Sequence, residues 1–137
     1  MKKIAFILPV LLLSAAFLTA QANYKVVFDL TSKDTVDHKL ALRWMNEVLK
    51  AEPTAQVELV FYGQSLNMIT KNKSVVADAI TKLSANKNAS FKVCSVAMKA
   101  HDIDMSQLVA GVQTVPDGIY EIISKQREGW GYIKVSH

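Results

Sequence analysis

The sequence predicts an α/β fold in which helical layers cover both faces of a mostly parallel five-stranded sheet, giving three layers. Short runs rich in β-branched and aromatic residues alternate five times with segments of helical periodicity. Some runs, such as Val26-Val27-Phe28, are continuously apolar, which is typical of strands covered on both faces. Alternation of this kind predicts parallel βαβ units. The predicted strands are 24–30, 56–62, 91–93, 109–115 and 130–135.

The first 22 residues predict a secretory signal peptide. Residues 1–3 are Met-Lys-Lys, residues 4–18 form an apolar run, and an Ala-x-Ala arrangement ends at Ala22. The apolar run is shorter than the ~20 residues that span a bilayer, so an uncleaved anchor is the weaker alternative and no stable membrane insertion is expected. We therefore expect cleavage near Ala22, leaving residues 23–137 as one periplasmic or secreted domain.

Charge and cysteine content exclude several classes of protein. The formal net charge is +4, and Lys2 and Lys3 supply two of those charges, so the chain without its signal carries +2. Because the basic residues are scattered, no nucleic-acid partner is expected. A single cysteine rules out an internal disulfide framework. In an oxidising compartment that thiol must be buried, free or paired with another chain.

After the strand at 24–30, the chain shows the pattern of an amphipathic helix over 36–50. Asp34 or Thr35 is suited to cap that helix, and His38 is expected on its solvent-facing side. The apolar stripe that would face the sheet consists of Leu40, Ala41, Trp44 and Val48.

The second strand, 56–62, stops at Gly63, and 64–70 is expected to be a loop with about one helical turn. Ser74 is a good N-cap residue, so the next helix is predicted from Ser74 to about residue 86. The third strand follows a polar stretch and leads directly into Cys94.

Residues after Cys94 change to helical periodicity, and 102–106 is expected to be irregular. The fourth strand, 109–115, precedes the turn Pro116-Asp117-Gly118, where a capping or turn role is expected for Asp117. The last helix follows and ends at Gly129 before the fifth strand.

Cys94 is the leading candidate for chemistry because it lies where a strand gives way to a helix. In a parallel sheet that junction is the carboxyl edge, where ligand crevices form. The unpaired backbone N–H groups and the dipole at a helix start can stabilise a thiolate. Free cysteines are also common core residues, so a buried and inert Cys94 is the alternative.

Strand ends would bring other side chains to the same edge as Cys94. We predict that Tyr62, Gly63, Gln64 and Asp29 contribute binding groups there. Cys94, His38 and His101 lack the short ligand spacing of metal sites, so no metal is expected, and nothing implies a cofactor.

Several segments in this order resemble the DsrE/DsrF family of small sulfur-handling proteins, whose fold is also called YchN-type. They include Tyr24-Lys-Val-Val-Phe28, Val57-Glu-Leu-Val-Phe-Tyr-Gly63, Phe91-Lys-Val-Cys94, Val115-Pro-Asp-Gly118 and Gln126-Arg-Glu-Gly-Trp-Gly-Tyr-Ile-Lys134. The resemblance implies a homo-oligomer of α/β subunits, with Cys94 at the position of the sulfur-carrying cysteine. In the relay members that cysteine is thought to accept persulfide sulfur and pass it on.

Two functional predictions follow. The first is an exported sulfur carrier, or sulfurtransferase-like protein, that works through Cys94 with a sulfur donor or acceptor protein as partner. The alternative is a non-catalytic homo-oligomeric binding module in which Cys94 is buried and inert.

Overall fold

The structure, a computed structural model, describes residues 24–137, and the predicted signal peptide lies outside the described residues. Five strands alternate with four α-helices, as the periodicity predicted. The strands are β1 (Lys25–Leu30), β2 (Gln56–Phe61), β3 (Ala89–Cys94), β4 (Val112–Val115) and β5 (Gly131–Lys134). The helices are α1 (Thr35–Ala51), α2 (Ala77–Ser84), α3 (Ser95–Ala100) and α4 (Gly118–Arg127). None of the helices in this part of the chain is long and apolar enough to cross a membrane.

All strands are parallel, in the order β4-β3-β2-β1-β5. The chain steps in one direction from β1 to β4 and then returns across the sheet to β5. Because parallel crossovers are right-handed, the first three connections place α1, α2 and α3 on one face, and the return places α4 on the other. The predicted three-layer α/β fold is therefore confirmed, whereas the strand order could not be read from periodicity.

The main core lies between the sheet and α1, α2 and α3. The rings of Phe61 and Phe91 stack on adjacent strands with their centroids 6.3 Å apart. Met45 from α1 and Ile80 from α2 are fully buried against this face of the sheet. Burying side chains of this size contributes on the order of 2 kcal/mol each, so this face holds most of the hydrophobic stabilisation.

The opposite face has a smaller apolar cluster because α4 alone covers it. Val27, Val60 and Ile122 form the buried centre of that cluster. Two carboxylates, Asp29 and Glu58, are buried on the same face at 4% and 2% exposure. Continuously apolar strands predicted two similar faces, but the second one contains polar groups that are paired with residues of β3, β5 and α4.

Two predicted boundaries are wrong because local hydrogen bonds compete with regular structure. The Ser74 hydroxyl accepts a hydrogen bond from the Val76 N–H at 3.2 Å in a turn, and α2 begins only at Ala77. The fourth strand begins at Val112 rather than 109 because Gly111 turns the chain at φ +92°. The segment 64–70 contains a short 3-10 helix, consistent with the predicted helical turn.

His38 was expected to face solvent, and that expectation is wrong. The residue is 1% exposed, and its Nε2–H donates to the Ser32 carbonyl at 3.0 Å. Asp34 caps α1 as predicted, since its carboxylate accepts from the Val36 N–H at 2.8 Å.

Candidate functional site

Cys94 is the last residue of β3 and directly precedes α3, as the change of period predicted. Its neighbour in β4 is Val115, and β2 places Phe61 beside Val93. Tyr62, the next residue after Phe61, therefore lies beside Cys94 at the carboxyl edge of the sheet.

A pocket of about 240 Å³ opens at this edge, and we call it the thiol pocket. Tyr62 and Gly63, two of the predicted site residues, line it together with Cys94. The rest of its lining is Val96, Ala97, Ala100, His101, Asp117 and Ile119. The pocket is smaller than a typical site for a drug-sized ligand, so it suits a small group or the end of a longer molecule.

Cys94 lines the thiol pocket and packs against the first turn of α4. The residue is 6% exposed, and its thiol is free. A methyl group placed on Gly118 would lie 3.1 Å from the Cys94 Cβ and 3.3 Å from a methyl carbon of Val60. Glycine at this position therefore lets α4 begin directly against the cysteine.

Asp117 fixes the start of α4 at the pocket wall. Its Oδ1 accepts hydrogen bonds from the N–H groups of Ile119 and Tyr120 at 2.8 and 3.0 Å. This capping role was predicted. Asp117 was not among the predicted site residues, because which strand ends are neighbours depends on the strand order.

His101 is a second pocket residue that sequence reasoning did not place in the site. Its Nε2 lies 2.7 Å from the carbonyl oxygen of Gly63, which can only accept, so Nε2 must carry the proton. In the neutral ring Nδ1 is then the free acceptor. The bond also joins the end of α3 to the segment that follows β2. No sequence signal pointed to it, because the contact joins residues far apart in the chain.

Comparison with family models identifies the family of the chain. A model of the DsrE/DsrF-like family matches residues 25–135, which is most of the chain. The chain belongs to the DsrE/DsrF-like family. This family is associated in general with sulfur relay. No curated protein is similar enough in sequence to count as a match.

Solved structures share the fold of this DsrE/DsrF-like domain. MTH1491, a protein of unknown function from Methanobacterium thermoautotrophicum, has 26% sequence identity to this chain and a TM-score of 0.76. The match covers 81% of this chain and 98% of MTH1491. YchN from E. coli is 13% identical with a TM-score of 0.68, over 82% and 98%. BT1422, a conserved protein of unknown function from Bacteroides thetaiotaomicron, is 17% identical with a TM-score of 0.59, over 85% and 98%.

Asp29, predicted as a binding residue, lies outside the thiol pocket of the DsrE/DsrF-like domain. Its carboxylate accepts from the Tyr132 hydroxyl at 2.6 Å and from the Lys134 ammonium at 3.1 Å. Burial, and to a smaller extent the nearby Asp29 carboxylate, raises the pKa of the Tyr62 hydroxyl. The same two causes raise the pKa of Tyr132 to about 12. Both phenols therefore stay protonated at neutral pH, and Asp29 affects Tyr62, which lines the pocket.

Gln64, also predicted as a pocket wall, lines the pocket next to the thiol pocket. That second pocket measures about 230 Å³, and we call it the lysine pocket. Its lining consists of Lys33, Gln64, Leu66, Asn67, Lys73, His101 and Ile103. His101 therefore contributes to both pockets.

Residues 24–137 contain no group of three or more His, Cys, Asp or Glu side chains arranged to hold a metal ion. His38, which is buried beneath Ser32, and His101, which lines the thiol pocket, lie on different elements.

Proposed function

We propose that this DsrE/DsrF-like protein is an exported sulfur carrier, or sulfurtransferase-like protein, that holds sulfane sulfur on Cys94 as a persulfide. The observation that carries the proposal is a free cysteine that lines an open pocket on the carboxyl edge of the sheet. Membership of a family associated with sulfur relay supports the same chemistry.

The transfer step needs no oxidant beyond the donor itself. The Cys94 thiolate attacks the outer sulfur of a donor persulfide, R–S–SH, and forms a new S–S bond. The donor's own S–S bond breaks, its electron pair leaves with R–S⁻, and that thiolate takes up a proton from solvent or a pocket group. Passing the outer sulfur to an acceptor thiolate reverses the same exchange.

Pocket groups can assist this exchange in different ways. The first turn of α3, whose backbone N–H groups have no intrahelical partners, begins directly after Cys94. His101 lines the same pocket with Nδ1 as an acceptor, so it can accept a hydrogen bond or a proton from the exchanging groups. Tyr62 forms part of the pocket wall, and its hydroxyl stays protonated.

The rim of the thiol pocket is suited to a protein partner. Val96 and Ile119 line the pocket and are 59% and 56% exposed, although both are apolar. Tyr120 and Ile123 continue the exposed apolar surface along α4. We propose that this surface contacts a sulfur donor or acceptor protein or a second copy of the chain, in line with a homo-oligomer. Light scattering at micromolar concentration tests the homo-oligomer, and a monomer would contradict it.

Export is a separate part of the proposal, supported by the basic start and apolar run before Ala22. N-terminal sequencing of protein from the periplasm or medium is expected to begin at Asn23. Recovery of Met1 from a membrane fraction would contradict it.

Intact mass tests the sulfur chemistry directly. Freshly isolated protein, or protein treated with a low-molecular-weight persulfide, is expected to gain the mass of one sulfur atom, which a reductant removes. The Cys94→Ser variant should fold normally and show no gain. A persulfide-treated protein that never gains sulfur, although its thiol reacts with alkylating reagents, would overturn the proposal.

The second candidate is a non-catalytic binding module with an inert cysteine, and the 6% exposure of Cys94 is the observation that favours it. Thiol labelling separates the two candidates. Labelling of the native protein supports the sulfur carrier, whereas labelling only after denaturation supports the binding module.

A further inference from the structure

The lysine pocket is cationic, and the side chains of its two lysines and two amides have no polar partners among the described residues. The ammonium groups of Lys33 and Lys73 form no ion pair or hydrogen bond within residues 24–137. The side-chain amides of Gln64 and Asn67 are likewise without hydrogen-bond partners in this part of the chain. The pocket therefore presents two positive charges and two amide donors that are available to a ligand.

No carboxylate lines the lysine pocket to neutralise these charges. The acidic residues adjacent in sequence are committed elsewhere or lie outside it. Asp34, next to Lys33, caps α1. Asp102, next to His101, is exposed and is not part of the lining. A cationic concavity without acidic groups attracts anions and concentrates them near the protein surface.

The lysine pocket adjoins the thiol pocket. Gly63 lines the thiol pocket, and the next residue, Gln64, lines the lysine pocket. His101 lines both and is held in place by its 2.7 Å bond to the Gly63 carbonyl. The Gln64 N–H donates to the Thr31 carbonyl at 3.0 Å, which holds the loop that carries Lys33 against the same segment. One small molecule can therefore contact both pockets.

We infer that one sulfur-exchange partner of Cys94 is a small anionic thiol, which donates as its persulfide or accepts as its thiolate, and whose carboxylate or sulfonate binds in the lysine pocket while its sulfur enters the thiol pocket. This inference rests on the proposed function and adds the substrate class to it. The two pockets, of about 240 and 230 Å³, each suit one end of such a molecule. The sulfur exchange is the one described for the proposed function, in which R–S–SH is the persulfide of the anionic thiol and R–SH is the thiol itself.

A pair of alkylating reagents tests the selectivity for anions without any persulfide. Iodoacetate and iodoacetamide differ little in size but differ in charge, so the ratio of their rates at Cys94 measures the local preference for an anion. The double variant Lys33→Gln/Lys73→Gln is expected to lower that ratio roughly threefold at low ionic strength, because two charges within a Debye length are removed. Most of the difference should disappear in ~1 M salt.

A charge-matched control separates a local effect from one of net charge. Lys50→Gln/Lys87→Gln removes two exposed lysines at the end of α1 and in the loop before β3, which are both at the amino edge of the sheet. This variant should keep the wild-type ratio. An unchanged ratio in the Lys33/Lys73 variant, an equal fall in both variants, or no native alkylation by either reagent would overturn the inference.

Sulfur donors then test the substrate class itself. Glutathione persulfide carries two carboxylates, and the persulfide of 2-mercaptoethanol carries none. Intact mass over time is expected to show faster loading of Cys94 by the anionic donor, and the Lys33/Lys73 variant should lose that advantage while it keeps the rate with the neutral donor. Equal loading by both donors in the wild type would overturn the inference and leave the sulfur carrier standing. Loading by neither, with normal alkylation, would count against the sulfur carrier instead.

Discussion

Gly118→Ala probes the contact between α4 and Cys94 most directly. The new methyl group would lie 3.1 Å from the Cys94 Cβ, 3.3 Å from a methyl carbon of Val60 and 3.5 Å from the Tyr62 Cβ. Carbon atoms pack best at about 3.5–4.0 Å, so two of these contacts are too short. Cys94 and Val60 belong to paired parallel strands, so α4 rather than the sheet must move.

The expected cost follows from two opposing effects. Overpacking costs about 1–3 kcal/mol, whereas alanine in place of glycine favours a helix by up to about 1 kcal/mol. We therefore expect the free energy of unfolding to fall by about 1 kcal/mol. The methyl group also narrows the approach to the thiol, and an added barrier of ~1 kcal/mol would slow alkylation of Cys94 about fivefold.

Urea unfolding and the rate of iodoacetamide alkylation measure the two effects. Gly131→Ala is the matched control, because its methyl group would meet only the Lys25 carbonyl at 3.5 Å and a Val26 methyl at 4.0 Å. That variant should alkylate at the wild-type rate. If Gly118→Ala unfolds and reacts like the wild type, Cys94 does not pack beneath α4 and the described pocket geometry is wrong.

Two further predictions concern the buried carboxylates behind the site. Tyr132→Phe removes the 2.6 Å hydrogen bond to buried Asp29 and should lower the free energy of unfolding by about 1–2 kcal/mol. The control Tyr120→Phe changes an exposed side chain and should have no effect. Equal urea midpoints for the two variants would contradict this prediction. Burial raises the pKa of Glu58 above 4.5, so the folded state keeps a proton that the unfolded chain releases. The contribution of Glu58 to the free energy of unfolding should therefore fall as the pH rises from about 4.5 through the raised pKa. The Glu58→Gln side chain can still accept the hydrogen bond from the Ser90 hydroxyl, but it cannot titrate. The variant should therefore show a weaker dependence of the free energy of unfolding on pH, measured by urea unfolding at several pH values. An unchanged pH dependence would show that another group titrates.

The strand-to-helix junction at Cys94 could be predicted because its determinants are local. A short run of β-branched and aromatic residues gives way to helical spacing at this point, and the structure places the boundary between β3 and α3 at Cys94. Tyr62 and Gly63 were predictable for the same reason, since they are the first two residues after β2 and the carboxyl ends of parallel strands share one edge.

Residues positioned by tertiary contacts were not predictable in the same way. His101 lines the site because its ring bonds to the Gly63 carbonyl, thirty-eight positions earlier in the chain. His38 has helical neighbours that suggested solvent exposure, yet the loop before α1 folds over it so that Ser32 can accept its proton. In both residues the decisive partner is a backbone carbonyl, which leaves no side-chain pattern in the sequence.

The strand order explains why the thiol pocket has its shape. Since β4 and β5 lie at opposite edges of the sheet, the connection between them must cross the other strands, and α4 packs against β1, β2 and β3. A helix that makes this crossing has to begin near the ends of β3 and β4, which is where Cys94 lies. The cysteine is therefore covered from one side by the start of α4, and Gly118 is the residue that permits this close approach. The rest of the pocket wall comes from α3, Gly63 and His101, and His101 also lines the lysine pocket. The crossing of α4 thus completes a pocket that shares one wall with the cationic groups.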